Sequence, residues 1–328
     1  MLEKERHFEA AGAPRTVGEA QMQLAARFRA AGLEQPALDA RLLVTAALGL
    51  AASDGVRKPE LAVPPHAVAT IESFASRRLA REPVSRILGR RAFYGLDLEI
   101  GPATLDPRPE TETLVEAALE LLQSTPVGAA GSCPGLAGPR ILDLGTGSGA
   151  IIVALLLALP EARGVAVDID PAALRVAARN ARRFGVEQRL QLIETSWLGG
   201  VSGSFDLIVS NPPYIPQAEI SELDPEVALF DPWAALAGGA DGLDAYRALI
   251  PAAALQLAPG GWLAFEIGIG QKDEISKIAA SCEMFAYAAG VRQWADLAGV
   301  TRCVAFQARA ATSSKKSLEF QNNPDNVS

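Results

Sequence analysis

From residue 140 onward, the sequence alternates between short apolar segments typical of β-strands and longer segments with helical spacing. Because parallel strands need long crossover connections, usually helices, this alternation predicts an α/β fold: a doubly wound, mostly parallel seven-stranded sheet with helices on both faces. The predicted strands are 140–144, 163–168, 189–194, 205–210, 261–267 and two segments near 285–292 and 302–309. The predicted helices are 149–159, 171–184, 241–257 and 271–281.

The first part of the chain has a different pattern, because residues 10–82 show helical spacing and few β-branched runs. Thr16 and Glu19 have the spacing of a capping box at a helix start. Residues 87–106 alternate apolar and polar positions, with Gly95 as a turn signal, which predicts a β-hairpin or two short strands. We therefore expect a small helical domain (1–85), a hairpin linker (86–108), the sheet domain (109–310) and a polar, disordered tail (311–328).

Composition restricts the possible classes of function. The chain has 328 residues and a net charge of −8. Nonspecific binding to nucleic acid needs clustered Lys and Arg, so this acidic charge disfavours a protein that binds nucleic acid in that way. The first residues lack the apolar core of a signal peptide. The longest apolar run, 150–159, is too short to cross a bilayer core of about 30 Å. These features predict a cytoplasmic protein.

The cysteines and histidines indicate no metal site. Cys133, Cys282 and Cys303 are widely spaced and form no CxxC pair, which predicts reduced thiols. His7 and His66 have no ligand-like neighbour at metal spacing. We therefore expect a protein that binds no metal ion.

The stretch ILDLGTGSGAI joins the first strand of the predicted sheet to the next helix. Gly145, Gly147 and Gly149 allow a tight turn and a close approach of the backbone to a ligand, and the helix N-terminus offers free N–H groups. Asp168 ends the next strand, where a carboxylate can accept both ribose hydroxyls of an adenosine. The spacing also satisfies the dinucleotide fingerprint GxGxx(G/A), so the loop alone leaves an NAD enzyme open.

Asp143 favours one cofactor over the other. It precedes the glycine loop at a position where a carboxylate can meet a cationic group but would repel a pyrophosphate. S-adenosylmethionine combines an ammonium, a sulfonium and an adenosine, and D-x-G-x-G-x-G at a strand–loop–helix is the common sign of class I methyltransferases. The alternative role for Asp143 is to cap its own loop.

After the strand at 205–210, the chain continues as Asn211, Pro212, Pro213 and Tyr214. A methyl acceptor that is a planar NH2 group is a poor nucleophile, because its lone pair is delocalised. The side-chain oxygen of Asn211 and the carbonyl of Pro212 can accept its two N–H groups and orient the nitrogen, while Tyr214 packs on its flat face. The alternative is a strand-terminating turn with a core tyrosine. Amide and adenine-amine methyltransferases share NPPY, so the motif does not choose between them.

Five further stretches carry a resemblance to a known family. They are EPVSRILGRRAFYGLDL (82–98), TLDPRPETE (104–112), DPWAALAGGADGLDAYR (231–247), FEIGIGQ (265–271) and DLAGVTR (296–302). With DLGTGSG and NPPY, they make the chain resemble the HemK/PrmC family, the peptide chain release factor glutamine N(5)-methyltransferases, over roughly residues 15–309.

The resemblance implies a class I S-adenosylmethionine-dependent fold and a reaction. The family transfers a methyl group from S-adenosylmethionine to the side-chain amide nitrogen of the glutamine in the GGQ loop of class 1 release factors. It implies that Asn211, Pro212, Pro213 and Tyr214 bind that glutamine, with Asn211, Pro212 and Tyr214 acting in catalysis. It also implies the cofactor-binding residues, which are Gly145, Thr146, Gly147, Ser148, Gly149, Asp168, Trp197 and Asn211.

Two more expectations follow from the resemblance. The family's helical N-terminal domain contacts the release factor, which gives residues 10–82 a purpose. Separately from the resemblance, we expect a monomer. Family members usually carry an acid just before the tryptophan that follows the third strand, whereas this chain has Ser196 before Trp197. A hydroxyl can still hydrogen-bond the adenine amine, but less strongly than a carboxylate.

Four alternatives are weighed against this interpretation. The nearest is the sister family that methylates a glutamine of a ribosomal protein, although PRPETE and DLGTG resemble the release-factor family more. An adenine methyltransferase on DNA or RNA should show a basic, aromatic-bearing target domain, which the acidic composition argues against. An NAD dehydrogenase needs an acid/base residue for hydride transfer, and neither histidine lies in the α/β region. A protein that only holds S-adenosylmethionine would not need the NPPY geometry.

Overall fold

The computed structural model describes residues 14–51, 53–124, 138–285 and 291–309. The described N-terminal part is helical, as predicted, with α1 (Val17–Ala30), α2 (Pro36–Ala47), α3 (Asp54–Arg57), α4 (Pro65–Leu79) and α5 (Val84–Leu88). The predicted capping box is confirmed: the Thr16 side chain accepts the N–H of Glu19, and the Glu19 side chain accepts the N–H of Thr16. The apolar faces of these helices form a core of their own around Phe28, Leu43 and Ile71.

The predicted hairpin is also confirmed, as antiparallel strands β1 (Arg90–Phe93) and β2 (Leu96–Glu99). Its two-residue turn, Tyr94–Gly95, has positive φ angles of 49° and 73°, the backbone that a tight hairpin turn demands. The chain then forms a short 3-10 helix, Pro109–Thr111, which leads into α6 (Glu112–Ser124). Residues 125–137 lie outside the described residues, as do the predicted tail and part of the segment near 285–292.

The sheet has seven strands, and the predicted fold class is confirmed. In spatial order they are β5 (Leu190–Glu194), β4 (Arg163–Asp168), β3 (Arg140–Leu144), β6 (Phe205–Ser210), β7 (Leu257–Glu266), β9 (Thr301–Gln307) and β8 (Arg292–Ala295). The first five are parallel, whereas β9 is antiparallel to both its neighbours. The direct turn between β8 and β9 produces this reversal, because a short connection can only join antiparallel strands.

Helices cover both faces of the sheet. The helices α6, α7 (Ala150–Ala158) and α8 (Pro171–Arg183) pack on one face, and α11 (Asp244–Ala254) and α12 (Lys272–Ala280) on the other. Two four-residue helices, α9 (Pro225–Ala228) and α10 (Trp233–Leu236), lie between β6 and α11. The long apolar run in the sequence is α7, which is buried on most sides. Within the described ranges, no helix is both long enough and apolar enough to span a membrane.

Ion pairs join the helical part to the segment between β6 and α11. Arg78 of α4 contacts Asp39 of α2 at 2.7 Å and Glu226 of α9 at 3.0 Å. Asp231 receives Arg86 and Arg108, each at 2.6 Å, and its side chain is 1 % exposed. Because removing one partner of a buried pair leaves an uncompensated charge, these contacts fix how the helices sit against the segment before α10.

Asn180 joins three segments with one buried side chain. Its Nδ2 donates to the carbonyls of Glu99 and Ser148 at 2.9 and 2.8 Å, and its Oδ1 accepts the N–H of Glu99 at 2.8 Å. The residue is fully buried in α8. It therefore ties the end of the hairpin to the glycine loop.

We expect Asn180→Ala to lower the free energy of unfolding by about 2–3 kcal/mol, because it leaves buried backbone groups without hydrogen-bond partners. Equilibrium denaturation measures this change. The matched control is Arg179→Ala, which removes the neighbouring exposed contact to Glu99 and should cost less than about 1 kcal/mol. Equal losses in the two variants would contradict the role given to Asn180.

Candidate active site

The site lies where the strand order reverses, at the carboxyl ends of β3, β4 and β6. Leu144 of β3 pairs with Val167 of β4 and with Ser210 of β6, so these strands end level with one another. The residues that follow therefore emerge at one edge of the sheet, which is where open α/β sheets bind ligands. A cavity of about 310 Å³ opens there. Its lining includes Gly145, Thr146, Gly147, Ser148, Asp168, Ser196, Trp197, Thr111, Asn211 and Pro213.

The glycine loop gives the cavity its open floor. Gly145 and Gly147 have φ angles of 74° and 56°, which side chains other than glycine rarely adopt. A Cβ built on Gly147 would meet no atom within 4 Å, so a side chain there would project into open space. Gly149 differs from the other two: it does not line the cavity, and a Cβ on it would lie 3.2 Å from Ala177 of α8. It allows close packing of the helix that follows the loop.

Asp168 shapes the loop and faces the cavity at the same time. Its Oδ2 accepts the N–H of Gly147 at 2.8 Å, and its Oδ1 accepts the N–H of Asp170 at 3.0 Å. Each carboxylate oxygen can accept a further hydrogen bond, so the residue retains acceptor capacity toward a ligand. Its assignment to ribose stays a prediction.

Asp143 lies beneath the loop rather than in the cavity. It is 1 % exposed, its Oδ2 accepts the Thr146 hydroxyl at 2.6 Å, and the N–H of Ile152 also hydrogen-bonds its carboxyl. Burial raises the pKa of Asp143 to about 7, and the charge of Asp168 adds to the increase while the two hydrogen bonds oppose it. The expected contact with a cationic ligand is thus not what the structure shows, because the side chain caps the loop and the start of α7.

Trp197 is held over the loop by an unusual backbone conformation. Its φ angle is 53°, a strained value for a bulky residue that is found mostly at functional sites. Its ring lines the cavity, and a Cβ built on Gly145 would lie 3.7 Å from that ring. Ser196 is exposed and lines the same side. An aromatic ring and a hydroxyl therefore both border the cavity.

The NPPY segment presents only part of itself to the cavity. Asn211 and Pro213 line it, whereas Pro212 and Tyr214 are not among the lining side chains. Tyr214 packs against the core, and its hydroxyl donates to Glu266 Oε1 at 3.3 Å. Burial is the main cause that raises the pKa of Tyr214, followed by the charge of Glu266. The Tyr214 ring therefore packs against the core and does not line the cavity, so its predicted stacking role stays a prediction.

Three residues that the motif analysis did not single out support this segment. Asn211 Nδ2 donates to Thr111 Oγ1 at 3.2 Å, Glu266 receives the Tyr214 hydroxyl, and Gln271 Nε2 donates to the Tyr214 carbonyl at 2.9 Å. All three lie in stretches that carry the family resemblance, TLDPRPETE and FEIGIGQ. Their place in these two stretches is the signal that the sequence offers for these residues, but only the fold shows that both stretches contact the NPPY segment.

Metal-ligating groups do not cluster in the described parts of the chain: no group of three or more His, Cys, Asp or Glu could hold an ion there. Cys282 and Cys303 are free thiols, and Cys133 and His7 lie outside the described residues. Burial raises the pKa of Cys303 well above its usual range, which disfavours a reactive thiolate.

Two family models match the chain. The PrmC N-terminal domain matches residues 19–89, which contain most of α1 and all of α2 to α5. The methyltransferase small domain matches residues 132–224, which contain the glycine loop, Asp168 and NPPY. The two matches thus cover the helical part and the half of the sheet that forms the cavity.

Curated relatives match over most of the chain. A release factor glutamine methyltransferase from Rhodospirillum rubrum is 47% identical over 285 residues, which are 87% of this chain and 83% of that protein. Another from Bradyrhizobium diazoefficiens is 46% identical over 289 residues, which are 88% of this chain and 94% of that protein. Among solved structures, the hMettl16 catalytic domain in complex with the MAT2A 3'UTR hairpin 6 aligns with a TM-score of 0.50 at 14% identity, covering 74% of this chain and 81% of that chain. At that identity, it supports the fold alone.

We expect Asp143→Asn to change how stability depends on pH. The folded-state pKa of Asp143, about 7, lies above its ordinary value of 3.8, so the folded protein binds the extra proton and the wild type loses stability as pH rises between these values. Asparagine does not titrate, so the variant's unfolding free energy relative to wild type should rise by about 1 kcal/mol or more from about pH 5 to about pH 8. Denaturation at several pH values measures this.

Glu266 titrates in both proteins, so its contribution cancels in that comparison. A difference between variant and wild type that stays constant across the pH range would show that Asp143 is ionised beneath the loop.

Proposed function

The chain belongs to the family of release factor glutamine methyltransferases, and from that membership we propose that it methylates the side-chain amide nitrogen of the glutamine in the GGQ loop of class 1 release factors, with S-adenosylmethionine as methyl donor. The observation that carries the proposal is the cavity that Asn211 shares with the glycine loop and Asp168. It provides one space in which a donor and a flat amide can meet.

The residues around the cavity fit S-adenosylmethionine. The absence of a Cβ at Gly147 leaves room against the loop, the Asp168 carboxylate can accept ribose hydroxyls, and the Trp197 ring offers an apolar face to an adenine. Ser196 supplies a hydroxyl near that ring. When bound, the cofactor supplies a methyl group on a sulfonium, the only electrophile that the reaction needs.

Asn211 and Pro212 are assigned to hold the acceptor glutamine. Since Asn211 Nδ2 is engaged by Thr111, its Oδ1 is the atom left to accept an N–H from the glutamine amide. The Pro212 carbonyl accepts the second N–H, and the two prolines restrict the backbone that carries both acceptors. Two acceptors in the plane of the amide orient its nitrogen and stabilise the positive charge that develops on it.

The transfer balances without a strong base. A bond forms between the glutamine nitrogen and the methyl carbon as the carbon–sulfur bond breaks, and the sulfur keeps the electron pair. The nitrogen then carries a positive charge, which makes its remaining protons acidic. One of them passes to solvent, and the products are N(5)-methylglutamine, S-adenosylhomocysteine and a proton.

The remaining features agree with a protein substrate. The helical part, α1 to α5, is assigned to docking the release factor, since ion pairs fix it next to the segment that borders the cavity. Cytoplasmic action follows from this substrate class, because release factors act on ribosomes. A ribosomal-protein glutamine is the nearest alternative acceptor.

The direct test is incubation with S-adenosylmethionine and a full-length class 1 release factor, followed by mass spectrometry of the GGQ peptide. The proposal predicts a gain of one methyl group on the glutamine. A ribosomal protein and an adenine-containing DNA serve as parallel acceptors. Methylation of either one, with the release factor left unmodified, would contradict the proposal.

Asn211→Ala should lower kcat by about 100-fold or more, because it removes one of the two groups that orient the nitrogen. Its affinity for S-adenosylmethionine, measured by calorimetry, should change much less. Gln217→Ala, at an exposed position where a short 3-10 helix begins after the NPPY segment, is the control and should retain turnover. Wild-type turnover in Asn211→Ala would remove the residue from this role.

Asp168→Ala should weaken S-adenosylmethionine binding by about 10-fold or more, because charge-assisted hydrogen bonds to the ribose are lost. Calorimetric titration of the folded variant measures the affinity, and circular dichroism checks that the loop change has not unfolded the protein. A folded variant with unchanged affinity would refute the ribose assignment.

A further inference from the structure

Glu266, the last residue of β7, is a buried carboxyl that the scheme above does not use. Its residue is 2 % exposed and does not line the cavity. Its Oε1 accepts the Tyr214 hydroxyl, whereas its Oε2 accepts no hydrogen bond of standard geometry from any described residue. Burying a carboxyl with so few partners is costly, so its place beside the NPPY segment calls for a functional reason.

The end of β7 fixes the NPPY segment from the side away from the cavity. Tyr214 is held at its hydroxyl by Glu266 and at its carbonyl by Gln271 Nε2. Gln271 is oriented in turn, because its Oε1 accepts the N–H of Gly268 at 2.9 Å. The Tyr246 hydroxyl donates to the Glu266 backbone carbonyl at 2.8 Å, which fixes the strand end itself. These contacts set the segment's position but not the orientation of the Asn211 amide.

Thr111 links that amide to Glu266. The residue is 4 % exposed, and its Oγ1 accepts the Asn211 Nδ2–H. A hydroxyl carries one proton, so a threonine that accepts from Asn211 must direct its own proton to another acceptor. Glu266 is inferred to be that acceptor: its buried Oε2 has no other partner among the described residues, and an interaction of the Thr111 hydroxyl with its carboxyl lowers its pKa. The chain of donors therefore runs from Asn211 through Thr111 to Glu266.

We propose that Glu266 is a positioning residue that acts through Thr111 to keep the oxygen edge of the Asn211 amide turned to the cavity. An ionised carboxylate only accepts hydrogen bonds, so it dictates the direction of the Thr111 hydroxyl, and that hydroxyl dictates which edge of the amide it binds. If the amide turned over, its nitrogen would face the N–H groups of the acceptor and repel them. This inference rests on the proposed function, which assigns Asn211 Oδ1 to the acceptor glutamine.

The charged surroundings of Glu266 determine the conditions of the test. Burial raises the pKa of Glu266 to about 7, and Glu110 adds to the increase. The hydroxyls of Thr111 and Tyr214 and the charge of Arg302 oppose it. At about pH 8.5 the carboxyl is therefore ionised and acts as an acceptor only, so the variants are best compared there.

Thr111→Val and Thr111→Ser form a matched pair. Valine keeps the shape and removes the hydroxyl, whereas serine keeps the hydroxyl. We expect Thr111→Val to lower kcat on the release factor about 10- to 100-fold, with little change in the affinity for S-adenosylmethionine. Thr111→Ser should recover most of the lost turnover. Glu266→Gln should resemble Thr111→Val, because a glutamine can donate to the Thr111 hydroxyl and so reverse the direction of the hydrogen bonds that lead to Asn211.

Tyr246→Phe is the control for stability. It removes a buried hydroxyl that bonds the backbone carbonyl of Glu266 and not its carboxyl, so it should keep its turnover even if it unfolds more easily. A loss of kcat in Tyr246→Phe as large as in Glu266→Gln would show a merely structural role. Wild-type kcat in Thr111→Val would overturn the proposal.

A spectroscopic measurement separates this proposal from the proposed function. The side-chain amide resonances of Asn211, assigned by NMR, should shift in Thr111→Val and in Glu266→Gln and stay near their wild-type positions in Thr111→Ser. No substrate is needed for this comparison. Unshifted Asn211 resonances in Thr111→Val would refute the positioning role whatever the enzyme methylates, whereas a wild-type protein that leaves release factors unmodified would refute only the proposed function.

Discussion

The level ends of three parallel strands are the constraint on which the site depends. The pairing of Leu144 with Val167 and with Ser210 places the next residues of β3, β4 and β6 at one edge of the sheet. The glycine loop, Asp168 and Asn211 thus meet, although 21 positions separate Gly147 from Asp168. A shift of one residue in either pairing would also turn the strand's side chains to the opposite face, so the core that fills both faces protects the site's geometry.

Buried polar groups then orient the residues that the three strands bring to this edge of the sheet. Asp143 holds the glycine loop from below, and Glu266 holds the NPPY segment from the side. Burial raises the pKa of each carboxyl to about 7. In both cases a group that never enters the cavity determines how the groups that line it are oriented, which agrees with a reaction that needs orientation of a weak nucleophile rather than a strong acid or base.

The sequence predicted the elements of the sheet well because the fold is locally encoded: buried strands are short apolar runs, and the helices have clear apolar spacing. It predicted the site less well, because long-range contacts determine where the side chains of the site lie. Asp143 was expected to meet a cation, but its position at the base of the loop turns it toward Thr146. Thr111 and Glu266 carried no signal of their own, because only the sheet brings the start of α6 and the end of β7 to Asn211.

A crystal structure of the protein with S-adenosylhomocysteine and a GGQ peptide tests the central claim most directly. The account predicts that the glutamine side-chain nitrogen lies within hydrogen-bonding distance, about 3 Å, of both Asn211 Oδ1 and the Pro212 carbonyl oxygen, with the cofactor sulfur on its open side. A glutamine bound elsewhere, or an Asn211 amide that presents its nitrogen to the peptide, would contradict it.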